Sequence, residues 1–426
     1  MDGGDPVLFI THPFVPSPFS GSARSWRFYK YLPRFGWTPW VVSCSANTAR
    51  VPYPGVYRVP EENPSRRLRF EEYLAGRVQR YLFPVNDAFE WVPYAVSRGS
   101  ELIERHRIAC VISTSPPLAA HYAAAWLAGR YGLRWVADFR DPVLDNPFRK
   151  RKWFYPYERW IESGLVQRAD AIIANTGDLQ AALQRRYPRH AGKISVIWNG
   201  FDPEERVRPK PLAERKQRVL AHVGEIYGGR KPSALVACLN RLLDSGRLDP
   251  ESFRLDLVGE SALAPDPAYD RDLASLRARG CLRETRKRMP KPEADALMTE
   301  ADYLLLLDVN ESGRSIQVPA KLFDYICAGR PIVAFSNAGS PASRILEASG
   351  ADHCCFTPDT PAGELDRELL RFLERGARTS HANDWFWSTF DGCEHVRLVA
   401  ALLRGGVEQQ EAVGCAAGRV GNAVLE

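Results

Sequence analysis

The sequence predicts an α/β protein of two domains, each built on a parallel sheet. Three observations carry that prediction. The chain has 426 residues, more than one ordinary hydrophobic core holds. From Val7 onward, short apolar runs alternate with stretches of helical spacing, the pattern of βα units. A charged stretch without an apolar period, Pro203 to Lys216, interrupts the series, and a second series starts at Arg218.

Composition narrows the class. Hydrophobic residues make up 45% and charged residues 25% of the chain, values of a soluble globular protein. The formal charge of +6 is modest and fits anionic substrates. No block of like charge forms a nucleic-acid tail, so no nucleic-acid partner is expected. No positive n-region precedes an apolar run at the start, which argues against a signal peptide. No stretch of about 18 apolar residues is available to cross a membrane. The nine cysteines are scattered and none forms Cys-x-x-Cys. They read as reduced thiols of a cytoplasmic protein.

The first unit of the series is the strand Val7–Ile10, a Pro/Ser/Gly-rich loop, a helix from about Ala23 to Phe35, the stop Gly36 and a strand from Trp37 to Ser43. Ligands of parallel sheets sit at the carboxyl edge of the strands. Gly21, which lets backbone approach a ligand, and Arg24 beside it are therefore candidates; a tight turn with a surface arginine is the alternative. Arg66 to Phe83 is basic and aromatic with an approximate helical period. It fits contact with an anionic membrane, or a core-facing helix with a solvated basic side. Trp153 to Tyr157 is a second aromatic cluster.

Further strands are expected at Cys110–Ser113, Trp135–Asp138, Ala169–Asn175 and Lys193–Trp198, with helices over 118–131 and 178–187. Asp138, Arg140 and Asp141 stand at the carboxyl end of one of these strands. Charges there are expensive unless solvent, pairing or function accounts for them. They are candidate contacts to an acceptor or a reacting centre; an Arg–Asp pair that caps the loop is the alternative. His12 and His121 are eligible as bases through their near-neutral pKa, although a lone histidine is more often structural.

The second series opens at Arg218-Val-Leu-Ala-His-Val-Gly224, followed by the loop Glu225–Pro232, in which Gly228 and Gly229 precede Arg230 and Lys231. It has the makings of a phosphate cradle, yet it is neither Gly-x-x-x-x-Gly-Lys-Ser/Thr nor Gly-x-Gly-x-x-Gly. Later comes Val318 to Phe335, read as a short helix, the stop Gly329 and a buried strand. Lys321 and Asp324 are three apart and share one side of that helix. The polar segment Asn310–Gln317 precedes it. Free N–H groups at the helix start, an arginine and a lysine would favour an anion, and Asp324 would accept from a hydroxyl pair. A diphosphate carrying a ribose satisfies both. The bland alternative is a surface Lys/Asp pair. A Trp385–Trp387 cluster and an apolar helix close the chain, and the residues beyond Gly405 show no persuasive period.

Taken in order, several motifs resemble the family 4 glycosyltransferases of GT-B type. These are Ser113-Thr-Ser-Pro-Pro117, Ala137-Asp-Phe-Arg-Asp-Pro142, Ala169–Ala174, Val196–Asp202, His222-Val-Gly-Glu-Ile-Tyr-Gly-Gly-Arg230 and Val318-Pro-Ala-Lys-Leu-Phe-Asp-Tyr–Ile332. The resemblance covers about residues 6 to 404. It implies two Rossmann-like domains facing across a cleft: an acceptor-binding domain at 1–202, a linker at 203–217 and a nucleotide-sugar-binding domain at 218–383. A helix at 384–404 would return to the first domain, ahead of a poorly ordered tail at 405–426.

The resemblance also implies transfer of a sugar from a nucleotide-sugar donor to a hydroxyl of a saccharide or lipid-linked acceptor. Retention at the anomeric carbon, no required metal and no cofactor belong to the same picture. The setting would be cell-surface polysaccharide or glycolipid synthesis, in the cytoplasm or at the inner face of its membrane. Arg230, Lys231 and Lys321 would neutralise the diphosphate. Gly224, Ser312, Gly313, Arg314 and Ser315 would offer backbone N–H groups, and Asp324 would hold the ribose. Two positions depart from the family: Ile316 stands where many members carry an acid, and Glu225 where many carry an arginine. Ile316 supports an alternative, a non-catalytic sugar-nucleotide-binding partner of a synthase complex. A GT-B epimerase is the other.

Overall fold

The computed structural model describes residues 3–17, 21–44, 53–60, 88–144, 146, 155–308 and 315–406. The basic stretch Arg66–Phe83, Trp153 and Phe154, the loop residues Ser312, Gly313 and Arg314, and the tail from residue 407 lie outside the described residues.

These residues form two compact units. The first takes in the chain up to Asn146, the part ending at Asn199, and the segment that starts at Gly392. The second runs from Gly200 to Asp391. The sequence places the divisions at 202 and 383, a few residues away. Aromatic packing sets the observed positions. Phe201 lies 5.6 Å from the Phe386 ring and 5.2 Å from Trp387, and its N–H donates to the Phe390 carbonyl at 3.0 Å. Phe201 and the Trp-rich helix therefore belong to one unit.

In the first unit the strands are β1 (Asp5–Thr11), β2 (Trp37–Cys44), β3 (Val56–Val59), β4 (Cys110–Ser115), β5 (Arg134–Phe139), β6 (Ala171–Ala174) and β7 (Ile194–Val196). They form one sheet of order β3-β2-β1-β4-β5-β6-β7, parallel throughout. The helices are α1 (Gly21–Tyr31), α2 (Val92–His106), α3 (Ala119–Tyr131), α4 (Tyr155–Arg168) and α5 (Gly177–Arg186). The fully buried Val7–Ile10 and Trp135–Ala137 show why these runs are strands: both faces are covered by helices. Thr176 caps α5 by accepting from the Leu179 N–H at 3.1 Å.

In the second unit the strands are β8 (Arg218–Val223), β9 (Ile226–Tyr227), β10 (Phe253–Val258), β11 (Ser261–Ala262), β12 (Leu282–Thr285), β13 (Tyr303–Leu307), β14 (Ile332–Phe335) and β15 (His353–Phe356). The main sheet has the order β12-β10-β8-β13-β14-β15, again parallel, and β9 pairs with β11 beside it. The helices are α6 (Ser233–Asp244), α7 (Pro267–Ala278), α8 (Lys291–Glu300), α9 (Lys321–Ala328), α10 (Pro341–Ser349), α11 (Ala362–Glu374) and α12 (Asp384–Thr389). Gly329 ends α9 with φ 65°, the left-handed stop its sequence predicts.

The last described helix, α13 (Gly392–Leu403), belongs to the first unit. Its Val396, Val399, Ala400, Leu402 and Leu403 enter the same core cluster as Val7, Phe9, Phe28 and Leu32. Each large aliphatic side chain buried there contributes about 1.5–3 kcal/mol. The Arg134 Nε donates to the Leu402 carbonyl at 3.0 Å, which satisfies one of the orphan carbonyls at the helix end. The return of the chain thus completes a core that residues 3–199 leave open.

Both sheets reverse their strand order once, at β1/β4 in the first unit and at β8/β13 in the second. Parallel sheets bind ligands outside the carboxyl ends of the strands at such a reversal.

Candidate functional site

The reversal in the second unit is built from β8, β13 and the start of α9. β8 ends at Val223, and Gly224 follows with φ 126°. A Cβ at Gly224 would overlap the Cε and Nζ of Lys321, and one at Gly259 would overlap the Gly224 carbonyl. Only glycine allows this turn, because a side chain would block the path of Lys321. The Gly224 N–H donates to the Val258 carbonyl at 2.6 Å. That corrects an expectation: the sheet consumes this donor, so Gly224 supplies space rather than an N–H to a ligand.

Lys321 is the first residue of α9 and is half-buried. Its Nζ donates to His222 Nε2 at 3.3 Å and to the Glu225 carbonyl at 3.4 Å. Burial, and next the neighbouring charge of Arg230, pull its pKa from 10.5 to about 7. Glu225 and Asp324 oppose that shift. Arg230 is held by Tyr227: its Nη1 donates to the Tyr227 hydroxyl at 2.7 Å, and its guanidinium lies 4.9 Å from the ring centroid. Asp324, also half-buried, shares its field with Lys291 of α8. Tyr325 locks α9 to β8, its hydroxyl accepting from the Val223 N–H at 2.9 Å.

Of the residues expected to bind a donor, the structure therefore groups Gly224, Arg230, Lys321 and Asp324. Lys231 is not in the group. It pairs with Asp266, the cap of α7, and lies 4.5 Å from the Tyr269 ring centroid. Free N–H groups at the helix start are a second correction. The Leu322 and Phe323 N–H groups donate to the Pro319 and Ala320 carbonyls at 3.0 and 3.3 Å, so these two are not free for an anion. Ser315 is buried and its Oγ accepts from the Gln317 N–H at 3.4 Å. Ser312, Gly313 and Arg314 lie outside the described residues.

The first unit gives a different answer. Asp138 is 0% and Arg24 3% exposed. Arg24 Nε and Nη2 donate to the two Asp138 oxygens at 2.9 and 2.8 Å. Nη1 and Nη2 donate further to the Trp198 and Ile197 carbonyls at 2.6 and 2.9 Å. The Thr114 hydroxyl donates to Asp138 at 2.7 Å. Neither residue has surface to offer a substrate, which corrects their candidacy as ligand or acceptor contacts. Together they tie α1, β4, β5 and the end of β7 into one piece. Arg140 is also buried. Its Nε donates to the Ser115 carbonyl at 2.9 Å and its Nη2 to that of Pro116. Gly21 is small because a Cβ there would overlap the Arg140 guanidinium. Asp141, half-buried beside Arg140, is the candidate of this unit that keeps exposed surface.

His12 and His121 are poor bases. His121 is fully buried, its Nδ1 lies 2.8 Å from the Ser113 hydroxyl, and burial pulls its pKa to about 3. Burial likewise takes His12 to about 4. Among the described residues no cluster of three or more His, Cys, Asp or Glu could hold a metal.

Sequence reading missed His222, Lys291 and the Tyr325 hydroxyl. His222 had a signal: it is the one polar residue in the apolar strand Val219–Val223, and a buried polar group must find a partner.

Residues 25–205 match the family described as Glycosyltransferase Family 4. A comparison with curated proteins gives no match. Among solved structures the chain is similar to a sucrose-phosphate synthase from Thermosynechococcus elongatus, at 14% identity and TM-score 0.61, with 98% of each chain covered. It is similar to a glycosyltransferase from Rickettsia africae at 13% identity and TM-score 0.58, covering 94% of this chain and 98% of that one. HepE from Anabaena, in complex with UDP and glucose, shares 14% identity and a TM-score of 0.58, with 98% of each chain covered. The chain thus resembles the family 4 glycosyltransferases by sequence over residues 25–205, and shares its fold with these solved structures over nearly its whole length.

Proposed function

We propose that this chain is a glycosyltransferase that moves a sugar from a nucleotide-sugar donor to a hydroxyl of a saccharide or lipid-linked acceptor. The observation that carries the reading is the Lys321 ammonium, held at the strand reversal of the second unit by His222 and the Glu225 carbonyl with Arg230 nearby. Two cations confined there stabilise the charge that grows on a departing diphosphate. Asp324, one turn along α9, accepts from a ribose. The UDP complex of a fold neighbour supports a nucleoside diphosphate as the occupant.

Charge of this kind on protein side chains fits transfer without a divalent metal, and the family resemblance supports retention of the anomeric configuration. The acceptor hydroxyl is positioned rather than strongly activated, since burial leaves His12 and His121 too weakly basic to help. The surface Asp141 retains supports it as the residue of that unit that touches an acceptor.

The family resemblance also supports a role in cell-surface polysaccharide or glycolipid synthesis. Trp126, Tyr155 and Trp160 of the first unit are 51%, 41% and 70% exposed, which supports peripheral contact with a membrane that carries a lipid-linked acceptor. No helix among the described residues is long and apolar enough to cross one. Exchanging Trp126 and Trp160 for serine should release the protein from anionic vesicles in a sedimentation assay; unchanged sedimentation removes the idea.

A thermal-shift panel of UDP, GDP, ADP and dTDP and their sugars tests the donor site. Selective stabilisation by one nucleotide, absent in Lys321→Ala and Asp324→Ala, is expected. Stabilisation without sugar release from any donor, whatever the acceptor, favours the non-catalytic reading that Ile316 supports.

A further inference from the structure

We propose that His222 is a positioning residue of the donor site: its Nε2 lone pair holds the Lys321 ammonium in the Gly224 turn so that the remaining hydrogen meets a diphosphate. The proposal rests on the donor-site reading above. It follows from counting donors and acceptors at one point. His222 sits on β8 directly beside β13, and its Nδ1 lies 2.9 Å from the Leu305 carbonyl. A carbonyl can only accept, so Nδ1 carries the proton and Nε2 has the free pair. That pair faces Lys321 Nζ at 3.3 Å. The Glu225 carbonyl also lies near the ring, but it is with Nζ, at 3.4 Å, that it has hydrogen-bond geometry.

An ammonium has three hydrogens. Two are taken by His222 and Glu225, and their fixed directions aim the third. The space for this arrangement exists because residue 224 has no Cβ.

The ring cannot be a second cation. Burial, and next the charge of Lys321 itself, push the His222 pKa well below its ordinary value. A neutral acceptor is therefore built in where a protonated imidazole would repel both Lys321 and the ligand. The other charges that face Lys321 are Arg230 from the loop after β9, Glu225 from the turn after β8, and Asp324 on α9 itself. Lys291, hydrogen-bonded to Asp295 at 2.7 Å, reaches Asp324 from α8. Arg230 and Glu225 nearly offset one another in sign, so the hydrogen bond to His222 is what fixes direction rather than total charge.

Two measurements test this on the full chain. Ring nitrogen chemical shifts of His222 in the ligand-free protein should show the Nδ1–H form and no titration between about pH 6 and pH 9. The Nε2–H form, or a titration near neutrality, overturns the proposal whatever the protein binds. Binding of inorganic pyrophosphate and UDP by calorimetry is the second measurement. His222→Leu should weaken both by about tenfold, the loss expected for one charge-assisted hydrogen bond. Its binding should also fade at a lower pH than wild type, because the ammonium has lost an acceptor that stabilised it. His222→Gln, whose amide can accept from Lys321 and donate to Leu305, should bind within about threefold of wild type. Equal binding and equal pH profiles for wild type and a folded His222→Leu overturn the proposal. Lys321→Ala separates the two claims: if it binds as wild type does, the donor-site reading falls, and the ring spectrum still decides the state of His222.

Discussion

Replacing Asp138 by asparagine distinguishes a structural pair from a catalytic acid. Asp138 oxygens accept from Arg24 Nε at 2.9 Å, from Arg24 Nη2 at 2.8 Å and from the Thr114 hydroxyl at 2.7 Å. Asparagine keeps the shape but turns one of the two oxygens into a donor. Either orientation then sets an N–H₂ against an N–H of Arg24, and leaves a guanidinium that is 3% exposed without its counter-charge. Breaking a buried pair by removing one partner costs about 3–5 kcal/mol. The two backbone carbonyls that also accept from Arg24 place this case toward the lower end. For a unit of this size each kcal/mol moves the midpoint by about 2–4 °C, so a fall of about 10 °C is expected. Scanning calorimetry of the Asp138→Asn chain measures it, with Arg24→Met and the double variant closing the cycle. The double variant should recover part of the loss, since no lone charge remains buried. A variant that melts with wild type, yet has lost transfer, would refute the structural reading and restore Asp138 as a group that meets the substrate.

Other outcomes follow from the second unit. Lys321 in the folded chain has its pKa lowered from 10.5 to about 7. Binding of a nucleoside diphosphate, which needs the ammonium, should therefore weaken progressively as pH rises above about 7, read by calorimetry in two buffers of different ionisation heat. Stability has the opposite sign. Between the folded and unfolded pKa the unfolded chain holds more protons, so stability contributed through this group rises with pH across that window and its cost is complete below about 7. Lys321→Met should accordingly raise ligand-free stability at neutral pH by about 1 kcal/mol once the orphaned His222 acceptor is subtracted, read as a higher melting midpoint, while abolishing the nucleotide-induced shift. Gly224→Ala should lose both binding and about 1–3 kcal/mol of stability, because φ 126° is strained for alanine and its methyl would displace Lys321; a denaturant titration beside the binding assay reads both.

The alternation of apolar runs and helical spacing made both parallel sheets legible, and the Pro203–Lys216 stretch located the break between them. Helices α2, α4, α7, α8, α10 and α11 and strands β3, β12 and β15 were not read from the sequence, although α2, α10 and α11 are clearly amphipathic. Within the site, residue types were legible and pairings were not. Asp138 was found as a costly charge in a strand, but the partner that settles its role, Arg24, is 114 residues away. Arg24 itself looked like a ligand contact because a glycine loop precedes it. Periodicity reports which face is buried; it does not report which buried donor meets which acceptor.

The same limit explains why the two reversal points differ in character although their topologies match. Each carries an arginine or lysine beside a small residue, Arg140 with Gly21 and Lys321 with Gly224. At the reversal of the first unit both buried guanidiniums are spent on protein acceptors: carboxylate oxygens and carbonyls take Arg24, and the Ser115 and Pro116 carbonyls take Arg140. A guanidinium with its acceptors filled is a strut. In the second unit Lys321 meets a neutral imidazole and one carbonyl, and no carboxylate among the described residues lies within hydrogen-bond distance. Its charge is thus held in place without being neutralised, at a cost that its lowered pKa records. A cation kept oriented and under-compensated at a strand reversal has its lowest free energy with an anion beside it. That difference in compensation, rather than the shared topology, is what the proposed phosphate site in the second unit rests on.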